Sequence, residues 1–287
     1  MGLLSGLESL GFKTKDMNIY KKQEEKSEEK TEEKKPADTT EKPIVYNEAD
    51  YLFAKSYKCP ICDKSFKSLT VRSGKLRMVS KEDDLRPIYK ELDPIKYEPV
   101  VCENCGYASL SRYFDTIMPL QAKRLRAEVK SSFLGINDDE TDIYSYDTAI
   151  LRYKVVLYCD VVGNVKNSRK AYTCLKMAWV IRGKLENEGA SLTEEERDKL
   201  QADELECIQN AYDGYRLAFS SETFPMSGMD EMTLSYLVAE LAFRLGNYRE
   251  ALQLLSRIIG NNNVSSRIKD KAIELKERIR AKVKEVQ

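Results

Sequence analysis

Two pairs of cysteines carry the one spacing in this chain that asks for specific chemistry. They are Cys59-Pro60-Ile61-Cys62 and Cys102-Glu103-Asn104-Cys105. A Cys-x-x-Cys turn offers two thiolates to one ion, and two such turns fill the tetrahedral shell that zinc takes. Gly106 follows the second pair, where a backbone turning past a metal needs positive φ. Pro60 stiffens the first turn. The spacing therefore predicts a Cys₄ zinc ribbon with Cys59, Cys62, Cys102 and Cys105 as ligands. Iron fits the same four sulfurs and is the minor alternative. Disulfides are disfavoured, because nothing marks the chain for export and cytosolic thiols stay reduced. A redox dithiol would need only one pair, beside a βαβ pattern.

A Cys₄ shell is closed, whereas catalytic zinc keeps a position open for water. The chain has no histidine, so the common nitrogen ligand and the commonest general base are both missing. The metal reads as structural and the protein as non-catalytic. Carboxylates are the remaining route to an enzyme. Asp83, Asp84 and Asp93 lie in the insert between the pairs, but no spacing among them asks for acid–base chemistry.

The elements that must position these sulfurs are short strands. Phe66, Leu69 and Val71 precede a turn at Ser73-Gly74, and Leu76, Met78 and Val79 follow it. Tyr97-Glu98-Pro99-Val100-Val101 runs into the second pair. A sheet with so little core is held together by its metal. From Lys55 to Lys81 the charge is lopsided, with Asp63 as the only acid before Glu82-Asp83-Asp84. Lys64, Lys67, Arg72, Lys75 and Arg77 are therefore candidate phosphate contacts. The competing reading is that the acidic run neutralises them internally.

The 287 residues carry 47 basic and 47 acidic side chains, so no global field draws the chain to nucleic acid or anionic lipid. Seven cysteines without a signal peptide point to a reducing cytoplasm. No apolar run has the length of a membrane span.

The expected organisation is α+β, mainly α, in three parts. Residues 1–43 read as a flexible tail. Leu3, Leu7 and Leu10 form a short apolar stripe there, either frayed, docked on the protein's own surface, or a linear motif for a partner. Met1-Gly2 only loosely fits an acylation signal. Lys21 to Lys42 repeats Lys and Glu with period four, so like charges repel at i,i+4 and the segment is a tether. On this reading, deleting residues 1–42 leaves melting nearly unaltered. Residues 44–118 are the ribbon, and residues 119–287 a helical array.

In that array Pro119 opens a helix with Leu120, Leu125, Val129 and Phe133 near its inner side. Gly135 stops it, and Asn137-Asp138-Asp139-Glu140 is a polar link. Ile150, Tyr153, Leu157 and Val161 line the next helix, and Ala171, Leu175, Ala178, Trp179 and Leu185 the one after. Thr193 with Glu196 is a capping box, leading into a stripe of Leu205, Ile208, Tyr212, Tyr215 and Phe219. Three further helices follow, the last with a polar outer face suited to the cap of a stack. Gly246, Tyr248, Ala251 and Leu255 stand where a tetratricopeptide repeat has its turn glycine, tyrosine, small alanine and packing apolar residue. Cys159, Cys174 and Cys207 read as small core residues. Stacked hairpins of this kind form concave surfaces for a protein or peptide partner.

Four blocks together resemble a bacterial family, a domain of unknown function. They are Cys59-Pro60-Ile61-Cys62, Cys102 to Ala108, Ala178-Trp179-Val180-Ile181-Arg182, and Tyr236 to Leu241 continuing into Arg244-Leu245-Gly246-Asn247-Tyr248. The likeness spans roughly residues 48 to 260 and leaves the charged tail outside. It implies the architecture, a Cys₄ ribbon followed by tetratricopeptide-like helices, and a bound metal. It implies no activity.

Overall fold

The computed structural model describes residues 2–15, 17–20, 47–136 and 142–286. The Lys/Glu repeat and the polar link Asn137 to Glu140 lie outside the described residues. The fold is α+β and mainly helical.

Among the described residues, six strands form three antiparallel hairpins: β1 (Leu52–Lys58) with β2 (Ser65–Val71), β3 (Met78–Lys81) with β4 (Pro87–Tyr89), and β5 (Pro99–Val101) with β6 (Ala108–Leu110). The first and third hairpins have a cysteine pair at their tips. In the first, the register runs from Leu52 opposite Val71 to Lys58 opposite Ser65. The second hairpin is the insert between them.

Seven α-helices follow among the described residues: α1 (Pro119–Leu125), α2 (Tyr146–Val162), α3 (Asn167–Glu188), α4 (Glu194–Ser221), α5 (Glu231–Arg244), α6 (Tyr248–Gly260) and α7 (Ser266–Val286). Pro119 occupies the first turn of α1, where its missing N–H is no loss. A π-helical turn, Arg126–Lys130, extends α1. The Thr193–Glu196 capping box is present: Glu196 N–H donates to Thr193 Oγ1 at 3.3 Å and Thr193 N–H to the Glu196 carboxylate at 2.9 Å. Consecutive helices from α2 to α7 pack on one another. Gly246 takes φ +77° at the α5–α6 turn, and Ala251 and Leu255 are fully buried behind it.

Two residues assigned to inner faces lie outside. Leu120 is exposed, because α1 is anchored through Ala122 and Leu125 instead. Leu205 is exposed, and the fully buried stripe of α4 begins two residues later at Cys207.

The larger correction concerns the N-terminal segment. Residues 2–20 are not a free tail. Leu3, Leu4, Leu7, Leu10 and Phe12 belong to the same buried cluster as the cysteine-bearing tips and the helices. Polar contacts pin the segment as well: Leu3 N–H donates to Glu206 of α4, and Lys154 of α2 to the Ser5 carbonyl. A short stripe that can bury this much apolar area on a waiting surface does so.

Candidate metal centre

Each cysteine pair sits on a turn closed by its own hairpin. In the first, Cys59 N–H donates to the Lys64 carbonyl at 3.0 Å, and Asp63 N–H to the Cys59 carbonyl at 2.9 Å. In the second, Cys102 N–H donates to the Tyr107 carbonyl at 2.8 Å, and Gly106 N–H to the Cys102 carbonyl at 2.9 Å. The two turns match position by position. The residue after the second cysteine is left-handed in both, Asp63 at φ 61° and Gly106 at φ +72°.

The turns face each other tip to tip. Cys59 Sγ lies 3.6 Å from Cys105 Sγ, and Cys62 Sγ 3.7 Å from Cys102 Sγ. All four sulfurs lie within 4.8 Å of one another. A tetrahedron with metal–sulfur bonds of about 2.3 Å has edges of about 3.8 Å, so the cluster has the size one ion requires. The distances are far longer than a disulfide bond, and all seven cysteines are free thiols. Cys59, Cys102 and Cys105 are buried and Cys62 is half-buried.

Sulfurs this close respond to each other's protons. The Cys102 thiol is pushed down to about 2, chiefly because Cys105 and Cys59 donate to it. Those two are pushed up by the same contacts. Four thiolates together need a cation among them, and the donor set fits a thiophilic divalent ion.

Residues that the sequence did not assign to the site brace it. Arg126, on the π turn, donates from Nε to the Ile61 carbonyl at 3.0 Å and from a terminal nitrogen to Pro60 at 3.3 Å. Phe12 and Phe133 close over Gly106: a Cβ there would stand 2.5 Å from the Phe133 ring and 3.1 Å from Phe12. Phe12 also stacks on Tyr158 of α2. Behind the second turn Cys159 accepts from Ala108 N–H at 3.3 Å and faces the Gly106 carbonyl. Burial pushes its thiol up to about 12, in keeping with a core residue outside the cluster of four.

The other candidates separate. Lys64, Lys67, Arg72, Lys75 and Arg77 are all exposed on the first hairpin and the segment after it. Asp83, Asp84 and Asp93 are drawn into ion pairs. Asp84 is fully buried, with Oδ2 2.9 Å from Arg182 and 3.4 Å from Arg244. Burial alone would raise its pKa, but the two guanidiniums hold it below the usual carboxylate range. Asp83 pairs with Arg278 at 2.6 Å and Lys271 at 3.8 Å of α7. Asp93 is raised, because burial outweighs its distant pairing with Arg86.

The bacterial family described as uncharacterized protein conserved in bacteria (DUF2225) matches residues 52–279, and the chain belongs to it. No curated protein and no solved structure matches the chain.

Proposed function

We propose that this family member is a non-catalytic interaction module of the bacterial cytoplasm, built as a zinc ribbon joined to tetratricopeptide-like hairpins. The observation that carries the reading is the closed set of four sulfurs, spaced for one tetrahedral ion with no fifth ligand position. Such a centre holds two hairpin tips together and leaves no site for a metal-bound water. Zinc is the favoured ion and iron the alternative. Gly246, Tyr248, Ala251 and Leu255 support the tetratricopeptide-like reading of α5 and α6, since the small alanine lets the two helices approach closely. No helix among the described residues is long and apolar enough to cross a membrane.

Elemental analysis of protein purified without added metal tests the centre. One equivalent of zinc is expected, lost in Cys105→Ser. A folded, metal-free preparation would overturn the reading, and iron would replace zinc in it. The interaction role is tested with a photocrosslinking residue placed in cells at exposed Gln253 on α6. Discrete crosslinked protein species are expected there and not from Lys199 on α4. Identical patterns from both positions would remove the support for a binding surface on the hairpins.

A further inference from the structure

Between Lys55 and Lys81 the chain carries eight basic side chains against one acid, Asp63. The acidic run that follows does not neutralise them. Glu82, Asp83 and Asp84 are engaged by Arg86, Arg182, Arg244, Lys271 and Arg278 instead. All eight basic residues are exposed, and among the described residues none is in an ion pair. Lys58 and Lys64 flank the first cysteine pair. A divalent ion under four thiolates leaves two negative charges in excess, and these lysines offset it. Lys55, Arg72, Lys75 and Arg77 stand away from the cysteine turn, and Lys55 Nζ lies 4.8 Å from the centroid of the Tyr57 ring.

Their setting on the first hairpin is ordered. Lys67 stands opposite Ser56 and Lys58 opposite Ser65, so these two lysines share one face of the hairpin beside the cysteine turn, and Phe53 and Lys55 share the other. At the other end, Arg72 Nε donates to the Leu52 carbonyl at 3.1 Å, and its guanidinium lies 5.1 Å from the Phe53 ring centroid. The guanidinium is thus held in place, with its terminal nitrogens free of protein partners among the described residues. Phe53 is 37% exposed and shares its strand face with Lys55, two residues on. A fixed arginine, an exposed ring and flanking lysines on a short hairpin are the parts of a stacking platform inside a phosphate-binding track. No helix enters the arrangement, so nothing here is shaped for a major groove.

We propose that this end of the hairpin and the segment after it bind single-stranded nucleic acid, with Lys55, Arg72, Lys75 and Arg77 contacting phosphates and Phe53 stacked on a base. The chain has no net charge, so the attraction is local and its salt dependence counts these contacts.

The test uses the full-length, metal-loaded protein and fluorescence anisotropy. The probes are an oligo(U) and an oligo(dT) of about 20 nucleotides, with a duplex of the same length for comparison. Binding of single strands is expected, with a log–log salt slope of about −3, near 0.7 per phosphate contact. The relative affinities of the two probes distinguish RNA from DNA as the source. The triple variant Lys55→Gln, Arg72→Gln, Lys75→Gln is expected to flatten that slope by about 2. Phe53→Ala is expected to lower affinity about tenfold with an unchanged slope. Arg197→Gln, Lys199→Gln, Arg280→Gln removes equal charge from exposed helical positions and is expected to change neither. Metal content and melting temperature confirm that each variant is folded. Four outcomes overturn the proposal. They are no retention of single strands at low salt, equal or tighter binding of the duplex, an equal loss in the helical control, and equally tight binding of polyglutamate, which would make the partner an acidic protein.

Discussion

Gly106 and Asp63 occupy the same place in two matched turns, yet only one tolerates a side chain. Both are left-handed, but a Cβ on Gly106 would enter the Phe133 ring, while Asp63 is exposed. Gly106→Ala combines a left-handed alanine, about 1 kcal/mol, with overpacking of about 1–3 kcal/mol. A loss of roughly 2–4 kcal/mol is therefore expected by chemical denaturation, with weakened metal retention. Asp63→Gly should stay within about 0.5 kcal/mol of the parent, because glycine accepts the same φ and nothing packs on the side chain. Equal effects at the two positions would mean that Phe12 and Phe133 do not press on the second turn. The cysteines and Gly106 were legible in the sequence because ligand chemistry and turn geometry restrict residue type locally. Phe12, Phe133 and Arg126 were not, since each reaches the site across tertiary space.

The N-terminal segment shows the same limit at the scale of an element. Its leucine stripe was visible, but a stripe does not say what receives it, so a frayed end, a docked one and a partner motif stood side by side. In the structure Leu7 is fully buried, and Lys154 and Glu206 hold the segment's backbone from two helices. Leu7→Ala should cost about 2–5 kcal/mol, as large-to-small core substitutions do. At about 2–4 °C per kcal/mol for a chain of this size, the melting temperature should fall by roughly 4–20 °C. Deleting residues 2–20 should cost more and also loosen the metal, because Phe12 goes with it. An unchanged melting temperature in calorimetry would restore the picture of a free tail. The helices were legible for the opposite reason. Caps such as Thr193–Glu196 and stripes of period three and four are written within the element itself.

Across the whole molecule, what joins the β3–β4 insert to the helices is a charge network that composition could not show. Glu82, Asp83 and Asp84 leave the β3–β4 insert to meet Arg182 on α3, Arg244 on α5 and Arg278 on α7. A run of three acids reads as solvated surface until the arginines, about 100 to 200 positions away, are placed. Asp84→Ala removes the buried carboxylate shared by Arg182 and Arg244 but leaves Arg182 with Glu82 and Glu204 and Arg244 with Glu240, so it should lose about 1–3 kcal/mol by chemical denaturation. Glu240 on α5 gives the network a pH signature of the opposite sense. Burial pushes its carboxyl up to about 7, against the pull of Arg244 on its own helix and Arg278 on α7, while Asp83 nearby adds to the rise. The folded chain then keeps a proton that the unfolded chain releases near 4.5. Stability from this group is fully present below that lower value and is lost as pH climbs through about 7. Glu240→Gln mimics the protonated side chain at every pH. Parent and variant should therefore unfold at similar denaturant concentrations at pH 5, and the variant should become the more stable by roughly 1–3 kcal/mol at pH 8. A gap that stays constant, or that widens toward acid, would show that the arginines keep Glu240 ionised throughout and that the network is an ordinary set of ion pairs.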